Sequence, residues 1–224
     1  MKYIGISCFT ALLALCLLGG CATESSRSLA VEQTQAARTP YNGPRSPIAI
    51  GKIENRSDYM RGLFSSGDQL GGQAKTILIT HLQQTNRFTV LDRDNMEELR
   101  QEAAIRSETQ ELKGASYVIT GGVTEFGRKE VSDYQLYGIL GSGKKQIAYS
   151  KVSLNIVNIL TSEVVYSAQG AGEYILSDRE IFGFGSSAGY DSTLNGKVLD
   201  LAIREAVDRM TEAIDKGIWR PTGA

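Results

Sequence analysis

The long stretch over residues 123–190 limits the fold of this chain more than any other part. It contains no helical repeat of apolar residues, few runs of charge and many glycines. Near its middle, residues 152–156 alternate apolar and polar side chains, and residues 159–166 fold back over the turn residues Thr161, Ser162 and Glu163. Alternating segments on either side of a short turn predict a β-hairpin. This part of the chain is therefore predicted to be built from strands.

Two glycine-rich elaborations flank this hairpin, at about residues 127–150 and 170–192. Each has room for two strands of about 9–11 residues, the length of a tilted strand that crosses a membrane. Their alternation is imperfect, as is usual for barrel strands, whose signal is weak in each segment. An isolated hairpin of this kind is marginal in water. We therefore expect both elaborations to gain stability by closing with neighbours into a barrel.

Two sequence patterns in these elaborations resemble enzyme motifs and lack what those motifs require. Residues 138–145 approach a phosphate-binding loop, but Lys145 occupies the place of the Mg²⁺-binding Ser or Thr and no helix pattern follows. Residues 185–189 match a nucleophile elbow, which needs a later histidine, whereas the only histidine is His81. We predict a protein that is not an enzyme and needs no cofactor. The glycine-rich loop is instead predicted as a hairpin tip, at Gly141, Gly143, Lys144 and Lys145.

The remaining sequence predicts an α/β fold, with helices packed on one small sheet. A helix with Asp68 as N-cap is predicted from the spacing of the apolar residues after it. A second, polar helix is predicted over residues 95–105, capped by Asp94, with Met96, Leu99 and Ala103 on one face. Residues 197–219 form the clearest amphipathic pattern of the chain. Strands are predicted at residues 48–53, 88–91 and 115–120.

The amino-terminal residues have the build of a signal peptide, with Lys2 before an apolar run that ends in small residues. The last four residues of this amino-terminal segment, residues 18–21, resemble the lipobox of bacterial lipoproteins. The resemblance implies that Cys21 is acylated and becomes the first mature residue. Residue 22 is Ala, not Asp, so the outer membrane is the expected destination. Residues 21–47 are rich in polar residues and proline, which is typical of a flexible tether. The expected organisation is a signal peptide over 1–20, a lipidated tether over 21–47 and a folded domain over 48–224.

Charge and cysteine content exclude several classes of function. The formal net charge is −1 and no long block of like charge occurs, so no nucleic-acid partner is expected. Cys8 and Cys16 lie in the predicted signal peptide, and Cys21 is the predicted lipidation site. The mature chain is therefore expected to contain neither a disulfide nor a thiolate metal site.

Several segments together resemble the CsgG-type curli secretion channel family: residues 74–93 followed by 96–99, 115–122, 153–167 and 215–219. The resemblance covers nearly the whole mature chain, and the two glycine-rich elaborations occupy the positions of that family's membrane hairpins. It implies a nonameric ring of identical subunits, in which each subunit donates four strands to one outer-membrane barrel. It also implies nucleotide-independent export of unfolded curli-type amyloid subunits, with a periplasmic accessory protein as a further partner.

The family's pore constriction is a loop between the first strand and the first helix, lined by aromatic and amide side chains. The resemblance places this constriction at Arg61, Phe64, Ser65 and Ser66. Phe64 is the only aromatic of this group, and the two serines stand where the family has amide and aromatic residues. We therefore expect a pore that is wider, differently charged or narrowed mainly by Phe64. In the other interpretation, Phe64 packs beneath the loop and fills a local pocket.

Two other classes of protein remain open on the sequence. One is a periplasmic lipoprotein ring for polysaccharide export or envelope scaffolding, which shares the α/β core but lacks a membrane barrel. The other is a monomeric envelope adaptor. Whether the segments 127–150 and 170–192 lie in lipid distinguishes the channel from both.

Overall fold

The computed structural model describes residues 31–59, 68–134, 142–179 and 194–221. Within these residues one sheet of five strands is accompanied by three α-helices. The strands are β1 Ser46–Asn55, β2 Phe88–Leu91, β3 Tyr117–Tyr134, β4 Ser142–Asn158 and β5 Val164–Arg179. The helices are α1 Gln69–Gln84, α2 Met96–Ile105 and α3 Leu194–Asp215.

The sheet has the strand order β2-β1-β3-β4-β5. Strand β1 pairs in parallel with β2 and β3, whereas β3, β4 and β5 pair antiparallel to one another. The parallel neighbours are joined by long connections that contain helices, because parallel strands cannot be joined by a tight turn. The predicted α/β class and the predicted hairpin, now β4 and β5, are confirmed.

The core lies between one face of the sheet and the helices α1 and α3. Helix α1 begins as predicted, because the Asp68 side chain accepts the backbone N–H of Gly71 and caps the helix. Helix α3 supplies the largest buried stripe, which comprises Leu194, Val198, Leu199, Ala202, Ile203, Ala206, Val207, Met210 and Ala213. Strand β5 can approach this helix closely because glycines 170 and 172 face it. A Cβ at Gly170 would lie 2.0 Å from the carbonyl oxygen of Ala202.

The end of α3 is earlier than predicted. The helix stops at Asp215 because Gly217 adopts a positive φ of 68°, and Ile218 donates its N–H to the carbonyl of Ala213. The reversed chain returns Trp219 to the core, where its ring packs edge-on against Tyr117 and stacks with Tyr166. The predicted helical continuation to Trp219 is therefore wrong. None of the described helices is both long and apolar enough to cross a membrane.

Helix α2 differs from its prediction in capping and in burial. Its N-cap is Asn95 without a side-chain cap bond, and the preceding turn is held by Asp92, which accepts the backbone N–H groups of Asp94 and Asn95. The bond from the Asn95 side chain is the main reason that the pKa of Asp92 lies below its usual value. The helix has no buried residue, and Leu99 on its predicted apolar face is 43% exposed.

The predicted tether over residues 21–47 is wrong for its carboxyl-terminal part. Thr34 is fully buried, and a short 3-10 helix, Ala36–Arg38, lies against α3. The Ala36 N–H donates to Asp208 of α3 at 3.4 Å, and the Ala36 carbonyl accepts the Arg87 guanidinium at 3.1 Å. Strand β1 also begins two residues before the predicted start of the domain. Polar composition predicts a tether here, but long-range bonds order the segment.

Candidate functional site

Most of the predicted site residues lie outside the described residues. These are Cys21, the four constriction residues Arg61, Phe64, Ser65 and Ser66, and the hairpin-tip residue Gly141. The structure does describe the residues at which segment 60–67 begins and ends, and the strands that lead into and out of the predicted membrane hairpins. The site is therefore built from these flanking residues.

Segment 60–67 begins and ends on one hydrogen-bonded turn at the end of β1. Asn55 donates its backbone N–H to the Asp68 carboxylate at 2.6 Å. The Asn55 side chain donates to the carbonyl oxygen of Tyr59 at 2.9 Å and accepts the Ser57 hydroxyl at 2.6 Å. The same Asp68 caps α1. The two ends of the segment are thus held together by side chains suited to turns and N-caps.

A second set of bonds joins the start of this segment to both predicted hairpins. The Asn195 amide nitrogen lies 3.0 Å from the Tyr59 hydroxyl, and the Asn195 amide oxygen accepts Arg128 Nε at 2.8 Å. The Tyr59 ring packs on the buried Phe126, with ring centroids 4.7 Å apart. We call Tyr59, Arg128 and Asn195 the loop-base network. Its members come from the turn after β1, from β3 and from the first turn of α3.

The first predicted hairpin is formed by continuous extensions of two core strands. Strands β3 and β4 pair without interruption from Glu125–Lys151 to Tyr134–Ser142. Three residues predicted at the tip lie within β4 instead, where they pair with β3: Gly143, Lys144 and Lys145.

The extended strands present two different faces. Arg128 and Tyr174 share the inner face, where Arg128 contacts Asn195 and Tyr174 lies under the Lys197 ammonium at 5.2 Å. On the outer face Tyr149 lies over Gly127, and Ile175 is 52% exposed. Two successive rows of this outer face are Gly127–Tyr149–Glu173 and Lys129–Ile147–Ile175, and the next row contains Val131 and the exposed Lys145.

Strand β5 forms one edge of the described sheet, and α3 covers part of that edge. The Glu205 carboxylate accepts the outward N–H of Ala171 at 2.9 Å, which blocks one position where another strand could pair. A cleft of about 490 Å³ lies here between β5, α3 and Gln35. Burial in this region raises the pKa of Asp208, and the backbone N–H groups of Ala36 and Gln35 offset that rise in part.

Sequence reasoning missed the loop-base network because its bonds span 67 and 136 residues along the chain. Asn195 carries no local signal beyond its place at the start of an amphipathic pattern. The single histidine also has a structural role, since His81 Nε2 lies 2.7 Å from Asp200 on the neighbouring helix α3. The described residues contain no group of three metal-binding side chains.

Comparison with known proteins assigns the family. The profile of the family described as curli production assembly/transport component CsgG matches residues 29–223. A chain of Neisseria meningitidis serogroup B (strain MC58), which carries the name lipoprotein NMB1126/NMB1164, is 61% identical over 222 residues, or 99% of each chain.

Among solved structures, the PelC dodecamer of Paraburkholderia phytofirmans is 14% identical, covering 75% of this chain and 91% of its own, with a TM-score of 0.35. Lipoprotein GNA1162 of Neisseria meningitidis is 15% identical, covering 77% and 97%, also with a TM-score of 0.35. The extent of the profile match shows that this chain belongs to the CsgG family of curli production assembly and transport components.

Proposed function

We propose that this chain is an outer-membrane lipoprotein whose copies assemble into a channel that exports unfolded, curli-type amyloid subunits. Its membership in the CsgG family and the lipoprotein name of its relative support this proposal. No nucleotide or cofactor takes part, and the exported chain moves by diffusion. Lipid on Cys21 delivers each subunit to the membrane, where it acts as an anchor and as an aid to assembly.

The observation that carries the proposal is the continuation of β3, β4 and β5 as one paired, three-stranded ribbon into the two predicted hairpins. Eight residues from Gly127 to Tyr134 remain paired with β4. At about 3.3 Å per residue these eight residues are about 26 Å long, which at a tilt of about 40° covers about 20 Å of the apolar band of about 25 Å in an outer-membrane barrel. Strand β5 pairs with β4 along the same stretch as far as Arg179, so the ribbon has three strands, and within the described residues its outer edges on β3 and β5 have no strand partner there. In lipid, every edge must be paired, which several subunits achieve by closing a common barrel.

The side chains of the outer face are consistent with a position at the periplasmic boundary of such a barrel. Tyr149 is an aromatic residue of the type that forms the interfacial girdle, and Ile147 and Ile175 lie in the next row. Lys129 and Glu173 occupy the same face, where a charge near the interface costs only about 0–1 kcal/mol. The boundary therefore lies close to these two rows.

Segment 60–67 supplies the constriction in this proposal. Phe64 provides the aromatic ring of each subunit, with Arg61, Ser65 and Ser66 as polar neighbours. A ring of identical subunits repeats these side chains around one axis. Weak, repeated contacts of this kind let an unfolded chain slide without trapping any one residue. The nonameric number, the substrate and the periplasmic accessory protein follow the family resemblance and belong to the proposal.

The decisive experiment extracts the protein from outer membranes in detergent and measures its particle shape and its single-channel conductance. We expect ring-shaped particles and discrete single-channel currents in a planar bilayer. A Phe64→Ala variant is expected to form the same particles with a larger conductance, whereas Leu99→Ala, on the exposed α2, is expected to leave the conductance unchanged. A monomer that gives no current would contradict the channel.

A periplasmic ring for polysaccharide export or scaffolding is the second candidate, because Lys129 and Glu173 share the outer face with the apolar residues. Single cysteines distinguish the two proposals. In the channel, a cysteine at Ile175 is shielded by lipid from a membrane-impermeant maleimide, whereas a cysteine at Ser153, lower on β4, reacts. Equal and rapid labelling at both positions would favour the periplasmic ring.

A further inference from the structure

The loop-base network occupies a special place in the chain. Tyr59 immediately precedes segment 60–67, Arg128 lies on β3 where it leaves the core toward the first hairpin, and Asn195 is the second residue of α3, just after segment 180–193. The predicted constriction segment and both predicted membrane hairpins therefore each start or end beside one of three side chains that contact one another.

Asn195 is the central member because it uses both ends of its amide. One end accepts the Arg128 guanidinium, a charge-assisted hydrogen bond, and the other meets the Tyr59 hydroxyl. The aromatic contact with Phe126 fixes the Tyr59 ring independently. Loss of the amide therefore breaks the polar link between Arg128 and Tyr59, while the ring contact between Tyr59 and Phe126 is kept.

The network lies on the inner side of the ribbon, at the amino-terminal end of the apolar stripe of α3, where Asn195 is one turn before the buried Val198 and Leu199. Arg128 pairs across the sheet with Ala148, which is fully buried. Two turns farther along α3 the core is made of the buried apolar residues Ala202, Ile203 and Ala206. We therefore expect a substitution of Asn195 to affect the amino-terminal end of α3 and the residues bonded to it, and to leave the core two turns farther along the helix in place.

We propose that Asn195 is a positioning residue, which holds Tyr59 and Arg128 in one register so that segment 60–67 and the two hairpins start from a common base. The consequence for pore geometry rests on the proposed channel function. The role of Asn195 in holding Tyr59 and Arg128 does not depend on the channel function, and it can be tested without a conductance measurement.

The test is amide hydrogen exchange of the full-length protein, read by mass spectrometry. In Asn195→Ala we expect exchange in peptides covering residues 56–69 and 124–130 to rise at least tenfold, with no change in β2 or in the second half of α3. Asn195→Asp keeps an acceptor for both partners and is expected to restore protection. The matched control is Asn155→Ala, because Asn155 also makes a side-chain bond, to Ser167 at 2.7 Å, but lies outside the network.

A second measurement separates positioning from a general loss of stability. Tyr59→Phe removes the hydroxyl but keeps the ring contact, so the double variant with Asn195→Ala is expected to exchange no faster than Asn195→Ala alone. Unchanged exchange in Asn195→Ala, or a uniform rise throughout the core, overturns the proposal. If the wild type carries no current but the local rise is observed, the channel fails and the positioning role stands. If current is seen and the rise is not, the channel stands and this inference fails.

Discussion

The guanidinium of Arg87 forms a two-bond fork with the carboxylate of Asp215, with Nε–Oδ1 and Nη2–Oδ2 distances of 2.9 and 2.6 Å. The Arg87 side chain is 3% exposed and also donates to the carbonyl oxygens of Ala36 and Thr85. It therefore joins the amino-terminal segment, the turn after α1 and the end of α3. These three parts of the chain are thus held together by hydrogen bonds from one charged side chain.

Replacement of Arg87 by Met is expected to lower the free energy of unfolding by about 2–3 kcal/mol. The loss lies at or below the usual cost of breaking a buried ion pair, because the half-exposed Asp215 can be rehydrated. Urea denaturation measures this loss, and limited proteolysis should show new cleavage near residues 34–41. Lysine at this position is expected to rescue little, because it lacks the planar fork.

Arg100→Ala is the control for Arg87, because the Arg100–Glu97 pair is exposed on both sides. Its expected cost is under about 0.5 kcal/mol. A cost for Arg87→Met as small as that of the control would contradict the clamp that we assign to Arg87.

Glycine 170 is expected to tolerate no side chain. Gly170→Ala places a methyl group against the backbone of α3, which has to shift, at an expected cost of about 1–3 kcal/mol. Gly72→Ala is the opposite case, since Gly72 lies within α1 with nothing near its added Cβ. That variant should gain about 0.8–1 kcal/mol from helix propensity. Thermal unfolding of both variants tests the pair, and equal signs would refute the close approach of β5 and α3.

Two leucines on different helices should respond very differently to truncation. Leu199→Ala removes a fully buried side chain of α3 and is expected to cost about 2–5 kcal/mol. Leu99→Ala, on α2, should change the free energy of unfolding of the monomer by less than about 0.5 kcal/mol. Chemical denaturation in detergent at low protein concentration makes the comparison. A large loss for Leu99→Ala would mean that α2 has support within its own chain.

The raised pKa of Asp208 predicts a pH dependence of stability. Because burial raises this pKa, the folded state holds the proton more tightly than the unfolded state, whose aspartates titrate near about 3.9. The contribution of Asp208 to stability therefore falls as pH rises from that unfolded value through the folded pKa, and stays reduced above it. Asp208→Asn keeps an acceptor for the Ala36 N–H without a charge.

We expect Asp208→Asn to be slightly more stable than the wild type at pH 7, and to lose this advantage as the pH falls to about 4. Urea midpoints of both proteins across this range provide the measurement. Asp92→Asn serves as a contrasting variant, since the pKa of Asp92 is lowered and its carboxylate stabilises the turn when ionised. An Asp208→Asn advantage that grows on acidification would reverse the assigned sign.

The parts of the fold that sequence predicts are those governed by local signals. Asp68 caps α1 through a bond to a residue three positions away, and the β4–β5 hairpin has regular alternation around a short turn. Leu99 shows the limit of such signals, because a helical apolar face does not reveal whether anything covers it. Arg87 shows the same limit for charge. A lone arginine in a sequence predicts a solvated side chain, and only the folded chain brings Asp215 to it.

The candidate site is harder to predict than the fold for the same reason. The family resemblance points to residues 61–66, but the bonds that hold the ends of this segment combine Asn55, Asp68 and Asn195. Asn55 and Asp68 are turn-forming types whose role follows once β1 and α1 are placed. Asn195 acts on residues far away in the chain, and no spacing or composition marks it.

The two anchor points of Ala36 determine how the domain bears a mechanical load. Its N–H meets Asp208, and its carbonyl meets Arg87, which in turn holds Asp215 two helical turns farther along α3. The segment before β1 thus lies lengthwise on α3, with Gln35 beside the cleft at Gly172. A force on the residues before Thr34 is therefore expected to load the bonds at Asp208 and Arg87 before it reaches β1.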